Sequence, residues 1–292
     1  MRSPRALIPL LSVCAAAAVV AAAATGTSIE GLPGGGGPAH ADGAAEPPPA
    51  VTINAVTWNV CGGPGCPSGA APAKLTKQVV QRMRSTEVGG RKVRTNAVLL
   101  QEVCEGHVRT FKKTMDTWTW AFAASPDGGS CAQGQGKAGV AIGTDKPLIG
   151  TRQAKLPAPA DRTRIALCGE VPSWATRVCV TQLSPAEGNE WRQKEARALT
   201  TLAGTGRVLV GGDLADSPDS PALDPLYTAY DECDQSGASR TGAKTRQNWQ
   251  GTAVEKTDYL FITKSAAVSC SVPSARTKAS DHRPMSAEIR FT

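Results

Sequence analysis

Six polar residues stand where apolar runs stop. Asn59 closes VTINAVTWNV, Glu102 closes the VLLQEV run, and Asp213 closes VLVGGD. Asp258 opens DYLFI, and Asp281 and His282 come just before the final apolar stretch. A polar group at the end of a buried strand sits at the rim of a sheet. Taken singly, each reads equally well as a turn cap, because Asp and Asn side chains bond their own backbone two residues on. As a set they allow four carboxylates, an amide and a histidine to converge on one sheet end. Hard oxygen donors of this kind suit Mg²⁺, which keeps several waters and takes one or two carboxylates. A histidine next to an aspartate exchanges protons near neutral pH and serves as a general acid or base.

The elements that would carry these residues can be read from periodicity. VTINAVTWNV (51–60) alternates as a strand does. Leu75, Val79, Val80 and Met83 recur at helical spacing, which predicts a helix over 74–86. NAVLLQEV (96–103) has the pattern of a buried strand, and 105–116 reads as helical. WTWAFAA (118–124) and AGVAIG (138–143) are strands with DGGS as a turn between them. RIALCGEV (164–171) and RVCVTQL (177–183) make a hairpin. An amphipathic helix is expected over 187–203, with Trp191, Leu199 and Leu202 inward. RVLVGGD (207–213), DYLFIT (258–263), AVSCSV (267–272) and MSAEIRF (285–291) complete the strands. Strands with helices between them suggest sheet packed on sheet with helices outside.

Composition bounds the answer. The 292 residues are 41% hydrophobic and 20% charged, too apolar for a disordered chain. A coiled coil, a collagen and a multi-span membrane protein are excluded. The net charge of +7 fits a phosphate-bearing partner and equally a merely soluble basic protein. Arg2 and Arg5 precede an uncharged apolar stretch from Ala6 to Ala24, the n-region and h-region of a secretory signal. Cleavage after Ala24 or after Ala41 fits equally, so residues 1–41 are read as signal and processing region. DGAAEPPPA (42–50) is a linker, and 51–292 is one domain. Export is therefore expected, with no stable membrane partner and a monomeric chain.

Setting aside Cys14 leaves eight cysteines, an even number suited to disulfides in an exported chain. The count alone allows 105 pairings. Proximity favours Cys61–Cys66, and the expected hairpin favours Cys168–Cys179; Cys104–Cys131 and Cys233–Cys270 remain by default. No C-x-x-C or H-x-x-x-H spacing supports a zinc site.

The order TWNV, LLQEV, GVAI, VLVGGDLAD, DYLFI and SDHRP resembles the endonuclease/exonuclease/phosphatase superfamily, the DNase I-like fold, over about residues 51–292. The resemblance implies a four-layered α/β/β/α sandwich with its site at one end of the sheets. It also implies Mg²⁺- or Mn²⁺-assisted hydrolysis of a phosphodiester or phosphomonoester and does not by itself choose the substrate; nucleic acid is the foremost expectation here. Carried over by motif, Glu102 is the main metal ligand, with Asp281 near the metal and Asn59 holding metal or phosphate. Asp258 orients His282, Asp213 orients the attacking water or the phosphate, and Arg164 binds phosphate, with Arg162 as its substitute.

Two positions depart from the pattern. The expected Thr-His is Thr181-Gln182 here; glutamine bonds a phosphate oxygen but exchanges no proton near neutral pH. The family's GDFN is Gly212-Asp213-Leu214-Ala215, so an asparagine at the phosphate is missing, and Asp216 is expected to point elsewhere. The leading reading is a secreted endonuclease-like hydrolase. A catalytically degenerate relative that binds phosphate or nucleic acid is the alternative, and a sphingomyelinase-like lipid phosphodiesterase is the third. His107 reads as a surface or satisfied histidine, and Trp58, Trp118 and Trp120 as packing residues. Trp174 and Trp249 are candidates for base stacking or a membrane interface. Lys112-Lys113, Arg82 and Arg84 read as solvated helix faces, and GQGKAG lacks P-loop spacing.

Overall fold

Period-two alternation along the strands decides the layers. The computed structural model describes residues 47–63, 66, 71–160, 162–185, 189–235, 237 and 239–292. The expected signal region, with both cleavage sites, Cys14 and His40, and the first half of the expected linker lie outside the described residues. The strands are β1 (Val51–Asn59), β2 (Thr86–Val88), β3 (Arg91–Val93), β4 (Ala97–Cys104), β5 (Thr119–Ala124), β6 (Ala138–Thr144), β7 (Ile149–Leu156) and β8 (Arg164–Val171). They continue with β9 (Thr176–Gln182), β10 (Arg207–Asp213), β11 (Asp231–Glu232), β12 (Arg246–Gln247), β13 (Ala253–Glu255), β14 (Asp258–Ile262), β15 (Ala267–Ser271) and β16 (Met285–Phe291). The helices are α1 (Pro72–Arg84), α2 (Glu105–Thr114), α3 (Asn189–Ala203) and α4 (Asp224–Ala229).

Two six-stranded mixed sheets form, in the orders β15-β16-β1-β4-β6-β5 and β11-β14-β10-β9-β8-β7. Ile53, Ala55, Leu99 and Ile142 of the first sheet meet Val178, Val180, Leu209 and Leu260 of the second in a core between the sheets. The intervening positions face outward. Val56, Trp58 and Leu100 pack under α1 and α2, against Leu75, Met83 and Phe111. Val208, Val210 and Phe261 pack under α3 and α4, against Leu199 and Leu226. This is the four-layered α/β/β/α sandwich of the DNase I-like fold.

The sequence-derived elements differ from the structure in places. The first helix ends at Arg84, and the hairpin of β2 with β3 follows it. The edge strand β7 carried no alternation, because nearly all of IGTRQAKL is exposed. In α3 the inward residues are Leu199 and the partly buried Leu202, joined by Arg192 and Glu195 rather than by Trp191. The two polar side chains bury because they are answered: Arg192 Nε bonds Asp216 Oδ2 at 2.7 Å, and Glu195 accepts from Ser184 N and Oγ at 2.9 and 2.6 Å. Trp191 instead lies under Lys194, whose Nζ is 4.4 Å from the ring centroid. Trp174 is 3% exposed, inside the core between the sheets, which removes it as a stacking or membrane residue.

Four disulfides form, Cys61–Cys66, Cys104–Cys131, Cys168–Cys179 and Cys233–Cys270. Cys168 and Cys179 are directly opposed in the β8–β9 ladder. Intact mass before and after reduction with alkylation is expected to show all eight of these thiols occupied in the native protein. Cys168→Ser/Cys179→Ser opens a loop of separation 11 and is expected to cost about 3 kcal/mol in denaturant unfolding, as the loss of loop-closure constraint dictates.

Candidate functional site

The alternation that builds the core also delivers the site. Asn59, Gln182, Asp213 and Asp258 continue the core-facing rows of their strands past the last apolar residue. Gln182, Asp213 and Asp258 stand side by side in register across β9, β10 and β14. All four therefore emerge at one end of the sandwich, between the sheets.

Glu102 needs a different device. Val98, Leu100 and Val103 all face α1 and α2, so the spacing from Leu100 to Val103 is three residues rather than two. The β4–β6 ladder shifts register at this point, and Glu102 takes a left-handed backbone with φ +51°. The extra residue of this bulge turns Glu102 out of the helix-facing row and into the cleft. Bulges commonly re-aim a side chain beside a site, and a non-glycine residue at positive φ persists only where its surroundings hold it there.

The polar groups then bond one another across the two sheets. Asn59 Nδ2 donates to Glu102 Oε1 at 3.0 Å and to Asp213 Oδ2 at 2.9 Å. Gln182 Nε2 donates to the same two oxygens at 2.8 and 3.4 Å. Asp213 Oδ1 accepts from Ala215 N at 3.1 Å. His282 Nδ1 and Asp258 Oδ2 are 2.7 Å apart, and His282 Nε2 lies 3.9 Å from Asp213 Oδ2. Ser280 ties the two halves together, its hydroxyl donating to Asn59 O at 2.7 Å and accepting from His282 N at 2.9 Å.

Burial and charge set the protonation. The Asp213 carboxyl is pushed up from the ordinary aspartate range by desolvation, aided by the charges of Asp258 and Glu102. Burial works against protonation of His282, but the carboxylates of Asp258 and Asp213 outweigh it and hold the imidazolium well above its usual value. His107 behaves oppositely. It is 1% exposed, its Nδ1 accepts from Cys104 N at 3.2 Å, and burial pushes it down to about 4. It is a neutral packing residue.

Glu102, Gln182, Asp213 and His282 border a cleft of about 850 Å³ that Arg162, Arg164, Arg246 and Asp281 also line. Arg164 Nε is buried without a hydrogen-bond partner among the described residues. The donor set suits a hard divalent cation. Glu102 Oε2 receives no nitrogen donor among the described residues, and Asp258 Oδ1 is buried and unpartnered. Asp213, Asp258 and His282 hold ligand atoms within 4.8 Å of one another. Cys61 and Cys66 also lie close to Glu102, but their sulfurs are tied in a disulfide and are no metal ligands.

Three supporting residues escaped the sequence reading. The Thr245 hydroxyl accepts from Thr257 N and Asp258 N at 3.1 and 2.9 Å. Gln247 Nε2 donates to Thr277 O and Ser280 O at 2.6 and 2.9 Å, and Arg283 Nε donates to Gln247 Oε1 at 3.2 Å. They lock the segment bearing His282 against the strand bearing Asp258. Only Arg283, inside SDHRP, had a visible signal.

A sandwich of two mixed sheets, with a cleft of carboxylates, amides and histidine at one end, defines a DNase I-like phosphoesterase architecture. The chain belongs to the endonuclease/exonuclease/phosphatase family, which it matches over residues 56–282. No curated protein sequence matches it. Among solved structures, it is similar to the human nocturnin catalytic domain with bound sulfate, at 16% identity and TM-score 0.62, over 85% of this chain and 100% of that one. It is equally similar to a Bacteroides thetaiotaomicron mannosyl-6-phosphatase, at 15% identity and TM-score 0.62, over 82% and 100%. An endonuclease/exonuclease/phosphatase protein from Bacteroides vulgatus matches at 16% identity and TM-score 0.63, over 83% and 100%.

The two departures take definite form. Gln182 joins the amide–carboxylate lattice. Ala215 keeps a left-handed backbone, φ +53°, that asparagine adopts readily and alanine does not. Asp216 also lines the cleft, its Oδ2 held by Arg192 Nε and the Ser220 hydroxyl at 2.7 Å each. Ala215→Asn and Ala215→Gly are therefore both expected to raise stability by about 1 kcal/mol, seen as a Tm increase of about 2–4 °C. A fall in Tm for both variants would overturn this backbone argument.

Proposed function

We propose that the protein is an exported, divalent-metal-dependent phosphodiesterase, with nucleic acid as its foremost substrate. The observation that carries this is the meeting, at one end of the sandwich, of the Asn59–Glu102–Asp213 lattice with the Asp258–His282 pair. Glu102, through its undonated Oε2, and Asp281 would hold Mg²⁺ or Mn²⁺, with Asn59 beside them. When bound, the ion supplies charge neutralisation at a non-bridging phosphate oxygen.

The remaining work falls to side chains. Arg164 and Arg162, which line the cleft, bind the other non-bridging oxygen. His282 presents Nε2–H to a phosphate oxygen while Asp258 holds Nδ1. Asp213, made more basic by burial, accepts the proton of the attacking water. As the new P–O bond forms, the opposite P–O bond breaks and the alkoxide leaves, taking a proton from solvent to become the alcohol. Export is supported by four disulfides, which persist in oxidising compartments. No helix among the described residues is long and apolar enough to cross a membrane.

The methyl side chain of Ala215 supplies no donor where the family's asparagine stands, and this favours the non-catalytic binding protein as a second reading. Initial rates on plasmid DNA, RNA and a chromogenic phosphodiester, with Mg²⁺ or with EDTA, separate the two. Metal-dependent hydrolysis is expected, with His282→Ala lowering it about 10²–10⁴-fold. Ala215→Asn is expected to raise the rate about ten-fold or more, since one preorganised contact is commonly worth about 10²–10³. No cleavage by either the native protein or Ala215→Asn, with circular dichroism unchanged, establishes the binding reading.

A further inference from the structure

The Cys61–Cys66 disulfide lies against the Glu102 carboxylate oxygen that the Asn59 and Gln182 amides leave alone. Asn59 and Gln182 both donate to Glu102 Oε1. Glu102 Oε2 has Cys66 Sγ as its neighbour, at 3.8 Å. The other half of the same disulfide fixes the amide. Cys61 N donates to Asn59 Oδ1 at 3.0 Å, so the Asn59 Nδ2 must face the two carboxylates. Cys61 achieves this with a left-handed backbone, φ +47°. The next residue closes the contact, Gly62 N donating to Glu102 O at 2.9 Å. A Cβ at Gly62 would stand 2.8 Å from that oxygen, so only glycine permits the approach.

We infer that the Cys61–Cys66 disulfide is a positioning element of the cation site, setting both the Asn59 amide and the free oxygen of Glu102, so that cation affinity depends on its oxidation. The inference rests on Glu102 as a cation ligand, as proposed above. The bridge spans a separation of five residues and pins a loop whose left-handed Cys61 would relax once released. A dithiol opens it by exchange. The S–S bond breaks, each sulfur gains one hydrogen, and the dithiol becomes its own disulfide. The chain would thus acquire its full cation affinity only after oxidation, outside a reducing compartment.

Mn²⁺ binding by calorimetry on the full exported chain tests this without any substrate. Groups that orient a metal ligand typically contribute 10–100-fold in affinity. Cys61→Ser/Cys66→Ser is expected to weaken Mn²⁺ binding at least ten-fold. Cys168→Ser/Cys179→Ser, whose bridge packs under α3, is expected to change it less than two-fold. Equal affinity in the native protein and Cys61→Ser/Cys66→Ser overturns the inference while Glu102 remains a ligand. Mn²⁺ binding unchanged in Glu102→Gln overturns the ligand assignment itself. If Cys61→Ser/Cys66→Ser does not fold, graded dithiol treatment of the native protein replaces it, with peptide mapping of each opened bridge. Affinity is then expected to fall in step with opening of Cys61–Cys66 and to return on reoxidation. Loss in step with another bridge counts against it.

Discussion

Glu102 and Asp213 belong to different sheets, yet one amide nitrogen, Asn59 Nδ2, bonds both. Two carboxylates this close repel each other, and burial strips them of water. Either would remain costly unless donors replaced that water. Asn59 and Gln182 supply donors to both, and the Ala215 amide supplies a third to Asp213. The separation of the sheets, the register of β9, β10 and β14, and the bulge in β4 all matter because this lattice forms only when they coincide. Gln182 joins this lattice as a donor to both carboxylates. At this position the side chain is needed as a double donor to carboxylates, and a neutral amide provides that without titrating.

Much of this was legible in the sequence, for one physical reason. Where a strand is buried on both faces, its apolar run ends abruptly at the rim, and the residue there declares itself by polarity. Asn59, Asp213 and Asp258 were visible in that way, and the strands that carry them were placed within a residue or two. The hidden parts lacked that contrast. Strand β7 is exposed along nearly its whole length and reads as loop. The bulge at Glu102 leaves no mark in hydropathy, because Val103 simply takes the place that Glu102 would have filled. Trp191 looked inward by helical period, but Arg192 and Glu195 occupy the buried face once Asp216 and Ser184 answer them. Trp174 looked like a loop tip until the turn between β8 and β9 folded it into the core.

The supports of the Asp258–His282 pair show a similar asymmetry. Thr245 and Gln247 sit in a polar stretch with no periodicity, and nothing in their types distinguishes them from neighbours on the surface. Their importance comes from what they satisfy. Thr245 accepts the amides of Thr257 and Asp258, while Gln247 caps the carbonyls of Thr277 and Ser280. Buried backbone groups of this kind must be paired, and the pairing fixes the angle at which His282 meets Asp258. Sequence motifs name the reacting groups; long-range bonds of this type decide their geometry.

Ala215 is the point at which conformation and chemistry part. The backbone there still adopts the left-handed form in which an asparagine is at ease, and its amide still bonds Asp213 Oδ1. Only the side chain is missing. Had the loop been remodelled for a different role, its strained backbone would have been the first feature to relax, since nothing in an alanine side chain rewards it. That it persists is accounted for by the main chain. Leu214 N bonds Thr257 O at 2.8 Å, and Asp216 is bonded by Arg192 and Ser220, so the residues on either side of Ala215 are fixed independently. The loop therefore keeps its shape without a polar side chain at position 215. The loss at Ala215 is confined to one donor, and the lattice around Asp213 does not depend on it.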